Sequence, residues 1–122
     1  MLDKQDIEDD GFELVDGDVT DAEIDRAAAA AQPRALMVVD NLDDGDTIRL
    51  WARFDVKIRR VINRVYKRFD LERQDGDRLV RADDGEDVFA HEQESVKEYI
   101  VRHGGKARIR WQYSGPTGGA GR

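Results

Sequence analysis

The side chains that most often carry catalysis are scarce in this sequence. Its 122 residues include no cysteine and only two histidines, His91 and His103. Cysteine nucleophiles, disulfides and thiolate metal sites are therefore excluded, and neither histidine has a partner at metal-ligand spacing. Because Gly104-Gly105 precedes a predicted strand rather than a helix, it is not a phosphate-binding loop. We expect no intrinsic enzyme activity and no cofactor.

A different chemistry is open to the glycine-rich segment at residues 114–122, which contains the pair Gly118-Gly119. Glycine has no Cβ, so such a segment can thread a narrow enzyme channel and adopt backbone conformations that other residues avoid. We predict a flexible tail that serves as the substrate of another protein. The alternative is a flexible terminus without chemistry.

The element that delivers this tail is predicted to be a strand at Ala107–Tyr113. Apolar and polar residues alternate along it, so that one face carries Ile109, Trp111 and Tyr113 and the other carries Arg110. A period of two is typical of a half-buried β-strand.

Upstream of that strand, residues 35–40 and 47–54 are apolar runs joined by an Asp-Gly turn, which predicts a β-hairpin. Asp55 is the predicted N-cap of a helix. Its apolar stripe consists of Ile58, Val61, Ile62, Val65 and Phe69. Short strands are predicted at residues 78–81 and 88–89, and one or two helical turns at residues 94–101. The order predicts a compact α+β domain over residues 35–113, with a mixed sheet packed on one amphipathic helix.

The N-terminal arm, residues 1–34, carries 11 acidic and 3 basic residues, whereas the remainder of the chain is nearly neutral. We expect residues 1–19 to be mostly disordered on their own. Thr20 and Glu23 predict a capping box that starts a helix over residues 22–31, which Pro33 ends. The arm is interpreted as a solubilising leader. Alternatively it is a docking motif anchored by Phe12, Leu14 and Val15, or it folds back onto the basic face of the central helix.

That basic face consists of Lys57, Arg59, Arg60, Arg64, Lys67 and Arg68. It could bind nucleic acid, but no aromatic platform accompanies it, and such a face is more often a solvated helix surface. We expect no nucleic-acid partner. No apolar run approaches the roughly 18–20 residues of a membrane span, so we expect a cytoplasmic protein that has no membrane partner.

Several short segments, in order and at suitable spacing, resemble ubiquitin. They are Thr47-Ile-Arg-Leu50, Arg78-Leu-Val80, Ser95-Val-Lys-Glu-Tyr99 and the pair Gly118-Gly119. The resemblance covers about residues 36–119 and implies the ubiquitin-like β-grasp fold, preceded here by an acidic extension.

The resemblance also implies a function as a protein modifier. A processing peptidase, of JAB type by analogy, would cut between Gly119 and Ala120. An E1-type activating enzyme would then adenylate the carboxylate of Gly119 and capture it as a thioester. An E2-type conjugating enzyme would pass it to an amine of a target protein.

The sequence departs from ubiquitin in ways that matter for partners. Of the three apolar positions on ubiquitin's interaction face, Val80 fits one, but Arg110 lies near another and Asp43 near the third. The composition is more similar to the ubiquitin-like proteins of bacterial conjugation operons, for which a role in antiviral defence is known. One alternative is a non-conjugated binding module that uses the sheet face around Trp51, Val80, Arg110 and Trp111. A less favoured alternative is a β-grasp sulfur carrier.

Overall fold

The computed structural model describes residues 11–116 of the chain, which form an α+β fold. The five strands are β1 (Phe12–Leu14), β2 (Arg34–Asn41), β3 (Thr47–Arg53), β4 (Arg78–Arg81) and β5 (Arg108–Ser114). The three α-helices are α1 (Asp21–Ala28), α2 (Ile58–Phe69) and α3 (Val96–Arg102), and a 3-10 helix spans Val88–His91.

The strands form one mixed sheet in the order β1-β3-β2-β5-β4. Strand β2 runs parallel to β5, while the other three neighbouring pairs are antiparallel. The predicted hairpin is confirmed as β2 and β3, and the predicted last strand is confirmed as β5. The last strand therefore lies inside the sheet, hydrogen-bonded on both sides, which fixes the point at which the chain leaves it.

Helix α2 packs on one face of this sheet, here called the inner face. Its buried residues are Ile58, Val61, Ile62, Val65 and Tyr66. Opposite them, the sheet buries Met37, Val39, Leu50, Ala52, Leu79, Ile109, Trp111 and Tyr113. The period of 3.6 in α2 and the period of two in the strands bring these two apolar sets together, so the predicted core is confirmed in its main features.

The predicted N-cap at Asp55 is wrong. Helix α2 begins after Lys57, whose side chain makes no capping hydrogen bond, and Asp55 instead pairs with Arg53, with 2.9 Å between Nη2 and Oδ2. The first N–H groups of α2 are satisfied by backbone carbonyls from a distant loop, since Ile58 donates to Glu94 and Arg59 to Glu92. A side-chain cap was unnecessary because tertiary structure supplies the acceptors.

Helix α1 covers part of the opposite face, here called the outer face. It packs on β2 and buries Ile24 and Ala27. Leu36 and Val38 point to the outer face of β2 and are almost completely buried. The sheet is thus covered on its inner face and on part of its outer face. The predicted capping box is confirmed, with Thr20 and Glu23 exchanging hydrogen bonds, but the helix ends at residue 28, well before Pro33.

The arm also supplies a short strand, which the sequence did not predict. Residues 12–14 form β1 on the outer edge of β3, with Phe12 opposite Ala52. The ring of Phe12 lies under the guanidinium groups of Arg60 and Arg64 on α2. For this segment the prediction that the arm folds back onto the basic helix is confirmed. Residues 1–10 lie outside the described part of the chain.

The predicted strand at residues 88–89 is wrong, because this segment is the 3-10 helix. Asp87 caps it by accepting the N–H of Phe89 at 3.1 Å, and this local hydrogen bond favours a turn over a ladder. The predicted short helix is confirmed as α3, with a capping box between Ser95 and Glu98. None of the helices in residues 11–116 has the length and apolar content needed to cross a membrane.

Candidate functional site

The root of the C-terminal tail, residues 113–116, is held between two loops. The N–H of Leu42, in the β2–β3 turn, donates to the carbonyl of Tyr113 at 2.8 Å. In return the N–H of Gly115 donates to Oδ2 of Asp43 in the same turn at 2.9 Å. These two hydrogen bonds hold the chain to the β2–β3 turn as far as Gly115, one residue beyond the end of β5. The path on which the chain leaves the sheet is therefore defined up to Gly115.

On its other side the root meets the loop before β4, at Gly76. This glycine has a φ of +92°, and a Cβ built there would lie 3.0 Å from Cβ of Pro116. A left-handed backbone and a close approach coincide at this position, so a larger residue would push the root aside. Pro116 is the last residue that the structure describes. The predicted site residues Gly118, Gly119 and Ala120 lie outside the described residues.

The anchor beneath the root is the buried carboxylate of Asp77. The hydroxyl of Tyr66 donates to its Oδ2 at 2.6 Å, and the N–H of Gln74 donates to the same oxygen at 2.9 Å. The hydroxyl of Tyr113 lies 3.4 Å from its Oδ1. The rings of Tyr66 and Tyr113 meet edge to face at 5.6 Å, a favourable aromatic geometry. One carboxylate thereby links α2, the β4 loop and the end of β5.

The pKa values of Tyr66 and Tyr113 are both raised at this site. Burial, and then the hydrogen bond to Asp77, raise the pKa of Tyr66 far above its ordinary value of 10.0. Burial, and then the charge of Asp77, raise the pKa of Tyr113 to about 12. Both hydroxyls therefore stay protonated at neutral pH and act as hydrogen-bond donors. In this state the tyrosines hold the end of β5 in place through their contacts with Asp77.

The open part of the outer face lies next to the root and is mainly polar. Val80 is half-buried and pairs with Gln112 across β4 and β5. Nε of Arg110 donates to Oδ2 of Asp40 at 2.9 Å, and the Thr47 hydroxyl donates to the other oxygen at 2.6 Å. Burial alone would raise the pKa of Asp40, but these two hydrogen bonds outweigh it and lower that pKa.

The structure separates the four predicted partner-binding residues. Val80 and Arg110 share the open outer face. Trp51 is also on the outer face but is half-buried beside the arm, with the Arg34 guanidinium 5.3 Å from its ring centre. Trp111 lies on the inner face with no exposed surface, and its Nε1 donates to the Tyr99 hydroxyl at 3.1 Å. Trp111 is therefore corrected from a surface residue to a core residue.

An ionic cluster that the sequence did not suggest brings both histidines together. Oε1 of Glu86 lies 2.9 Å from Nε2 of His103, and Oε2 lies 2.8 Å from Nη1 of Arg102. His91 contacts Glu94 at 2.9 Å. The hydrogen bond from Arg102 lowers the pKa of Glu86. These ion pairs tie the end of α3 to Glu86 in the loop after β4. Within residues 11–116, no three His, Cys, Asp or Glu residues are arranged to hold a metal ion.

The sequence contains only weak local signals for this ionic cluster. Glu94 lies just before α3 and Arg102 at its last position, as the sequence shows, but the approach of Glu86 to Arg102 is tertiary. Comparison with known proteins adds no assignment, because neither the known family models nor the curated proteins that were searched match this chain.

Proposed function

We propose that this chain is a ubiquitin-like protein modifier of the β-grasp type. The support from the fold is the arrangement of four strands and one helix. A hairpin, β2 and β3, is followed by the amphipathic helix α2 across the inner face. The last strand β5 then lies parallel to β2 in the centre, with β4 beside it. This mixed sheet on one helix is compatible with a β-grasp, to which α1 and β1 are additions.

The single observation that carries the proposal is the way in which the chain leaves the last strand. The root is hydrogen-bonded up to Gly115, and Gly118-Gly119 follow within a few residues in the sequence. An ordered root fixes where the tail starts, and the small glycines allow the residues beyond it to enter a narrow channel. A tail that is a substrate needs both features, because an enzyme must recognise the folded domain and reach the reacting carboxyl group together.

The chemistry follows the order that the resemblance implies. A peptidase hydrolyses the peptide bond between Gly119 and Ala120, so that one water is consumed and a carboxylate is left on Gly119. The activating enzyme uses ATP to convert this carboxylate to an acyl adenylate, with release of pyrophosphate, and the thiolate of its own cysteine then displaces AMP to form a thioester. The conjugating enzyme accepts the acyl group, and a target amine displaces the thiolate to form an amide. This chain contributes the acyl group and its folded domain, while other proteins supply the nucleophiles.

The covered outer face limits how such enzymes could recognise the domain. Helix α1 packs on β2, and Leu36 and Val38 on this face are almost completely buried, so an apolar patch in the middle of the face is closed. The accessible part beside the tail root is the polar surface formed by Val80, Arg110 and Gln112. We propose that activating and conjugating enzymes contact this surface and the tail together. A bacterial conjugation operon, with a role in antiviral defence, remains the predicted setting.

The test compares two glycine variants in the same tail. The wild type, Gly119→Ala and Gly121→Ala are each expressed with their genomic neighbours, and proteins are digested with trypsin. Conjugation predicts branched peptides in which residues 111–119 are attached to a target lysine, since trypsin cleaves after Arg110. These peptides should be present for the wild type and Gly121→Ala and lost for Gly119→Ala. Their absence from all three would favour the binding module, or the sulfur carrier if Gly119 carried a thiocarboxylate instead.

A further inference from the structure

Strand β1 protects only part of an edge that the sheet would otherwise expose. Its three residues pair with positions 50–52, and backbone hydrogen bonds of Val15 and Gly11 extend the contact to Arg49 and Arg53, whereas β3 begins at Thr47. An unpaired edge presents a row of N–H and C=O groups that can accept an additional strand from another chain. In this protein that additional strand is supplied by the chain's own N-terminal arm.

The side chain that holds β1 in place is Phe12, which sits in a groove between β3 and α2. Phe12 retains only 5% of its surface. The guanidinium carbons of Arg64 and Arg60 lie 5.1 and 5.9 Å from its ring centre, within the range of cation–π attraction. Gly11 before it is also tightly placed, because a Cβ there would lie 2.7 Å from Cγ2 of Val56. The groove is thus shaped for a flat aromatic ring that follows a residue without a side chain.

The fit of β1 to this groove is incomplete. Leu14 points to the inner face but keeps 51% of its surface exposed. Beside Phe12 lies an open cleft of about 170 Å³, and a second cleft of about 430 Å³ runs along the backbone from Gly11 to Glu13 on the other side. One aromatic anchor therefore secures a short strand, and room remains around it for a ligand that makes more contacts.

The charge around the groove defines what else would fit. The groove is lined by Arg60, Arg64 and Lys67, and the second cleft is lined by Arg34 and Arg53. The chain's own occupant has the opposite charge, since Glu13 of β1 pairs with Arg34 at the second cleft, with 2.6 Å between Oε1 and Nη1. Cationic walls and an acidic occupant are electrostatically complementary, which favours encounter and sets specificity.

We propose that the β3 edge and the α2 groove are a docking site for an extended acidic peptide of a partner protein, with an aromatic residue at the position of Phe12. Strand β1 is then a built-in competitor that keeps the site closed until such a peptide displaces it. The partner's strand would extend the sheet by backbone hydrogen bonds, and its aromatic ring would occupy the place between Arg60 and Arg64. This site is independent of the tail and of the proposed function as a modifier.

The first test uses the Phe12→Ala variant of the full chain, in which no aromatic ring fills the groove. The probe is a fluorescent synthetic peptide with the sequence of residues 6–16, and the control peptide replaces its phenylalanine with alanine. Because the wild type must first release β1, its apparent affinity is reduced by the fraction of molecules with an open groove. Fluorescence anisotropy should show binding to Phe12→Ala that is at least about tenfold tighter than to the wild type. The control peptide should bind neither protein.

A second variant, Glu13→Pro, keeps the proposal testable if Phe12→Ala does not fold. The N–H of Val15 donates to Arg49, and the N–H of Arg53 donates to Gly11, so by alternation the N–H of Glu13 faces β3. Proline removes that donor and should also open the site to the peptide. In either opened protein, Arg64→Glu should abolish binding, whereas Arg68→Glu, an exposed position elsewhere on α2, should reduce it much less.

Three results would overturn this inference. They are equal affinity of the wild type and the opened variants, no binding by any of them, and a concentration-dependent doubling of the wild-type mass through exchange of arms. The last would assign the groove to a second copy of the chain. Gly119→Ala should leave peptide binding unchanged, which separates this test from that of the proposed function.

Discussion

Replacing Asp77 by asparagine tests the anchor beneath the tail root most sharply. The carboxylate accepts two short hydrogen bonds, from Tyr66 at 2.6 Å and Gln74 at 2.9 Å. A hydrogen bond to a charged group contributes about 1.5–3 kcal/mol and one between neutral groups about 0.5–1.5 kcal/mol. Neutralising the acceptor therefore weakens each by about 1 kcal/mol. The NH2 group of the asparagine also faces one of the groups that donate to Asp77, which costs further stability. Part of this loss is offset because a charged group is no longer buried.

For Asp77→Asn we expect the free energy of unfolding to fall by about 2 kcal/mol, with a Tm lower by about 8 °C. The measurement is urea unfolding at pH 7. Asp75→Asn, an exposed position in the same loop with the same change in charge, is the control and should stay within about 0.5 kcal/mol of the wild type. A double-mutant cycle with Tyr66→Phe should show coupling of about 1 kcal/mol.

The same anchor predicts how stability depends on alkaline pH. The pKa of Tyr113 is raised to about 12, so this tyrosine contributes stability that is fully present below its ordinary pKa of 10 and is lost as the pH rises through 12. In Asp77→Asn the pKa of Tyr113 should fall but stay above its ordinary value, because burial remains the larger cause. Titration by ultraviolet absorbance measures it. An Asp77→Asn protein that is as stable as the wild type and has an unchanged tyrosine titration would refute the anchor.

Three further predictions test other contacts. Asp43→Ala removes the acceptor of the Gly115 N–H, so hydrogen exchange at that amide should become several-fold faster while the sheet amides stay protected; unchanged exchange would show that the root is held in another way. The hydrogen bond from Arg102 lowers the pKa of Glu86, so the contribution of Glu86 to stability is lost as its carboxylate protonates below about pH 4.5. In Glu86→Gln the free energy of unfolding should therefore fall less steeply as the pH is lowered. Identical acid unfolding curves would contradict this. Ile24→Ala should lower the free energy of unfolding by about 2 kcal/mol, because this side chain is 5% exposed beneath α1, and a loss below about 0.5 kcal/mol would mean that α1 is not packed on the sheet.

The parts of the fold that could be predicted from the sequence are those with strong local periodicity. The stripe from Ile58 to Val65 repeats at helical spacing over two turns, and it is the buried face of α2. The Asp-Gly turn between two apolar runs marks the β2–β3 hairpin, and the alternation around Trp111 marks β5. In each case the pattern is long enough for the choice between the faces to be unambiguous.

The role of the arm could not be predicted in the same way. Phe12-Glu-Leu14 is only one period and a half of alternation within a strongly acidic segment, which composition alone assigns to disorder. What makes it a strand is the edge of β3 and the groove beside α2, and both are formed by residues far along the chain. Helix α1 can be predicted because Thr20 and Glu23 cap it locally, but its packing on β2 depends on the finished sheet.

The candidate site could be predicted only in part for the same reason, because its contacts join residues that are far apart in the sequence. No local pattern marks Asp77 as a buried anchor, because the two tyrosines that contact it come from α2 and β5. Trp111 was given a surface role although its own strand pattern placed it on the apolar face, and burial against Tyr99 shows that the pattern was the better guide. Asp55 had the right residue type for a cap, but carbonyls from the loop before α3 made that cap unnecessary.

The most direct test of the proposed modifier function is the intact mass of the chain recovered from its native cells, with and without its genomic neighbours. The account predicts loss of Ala120-Gly121-Arg122 and target proteins that gain the mass of the trimmed chain minus one water, both only when the neighbours are present. A single unmodified mass in both conditions, with no adducts, would contradict it.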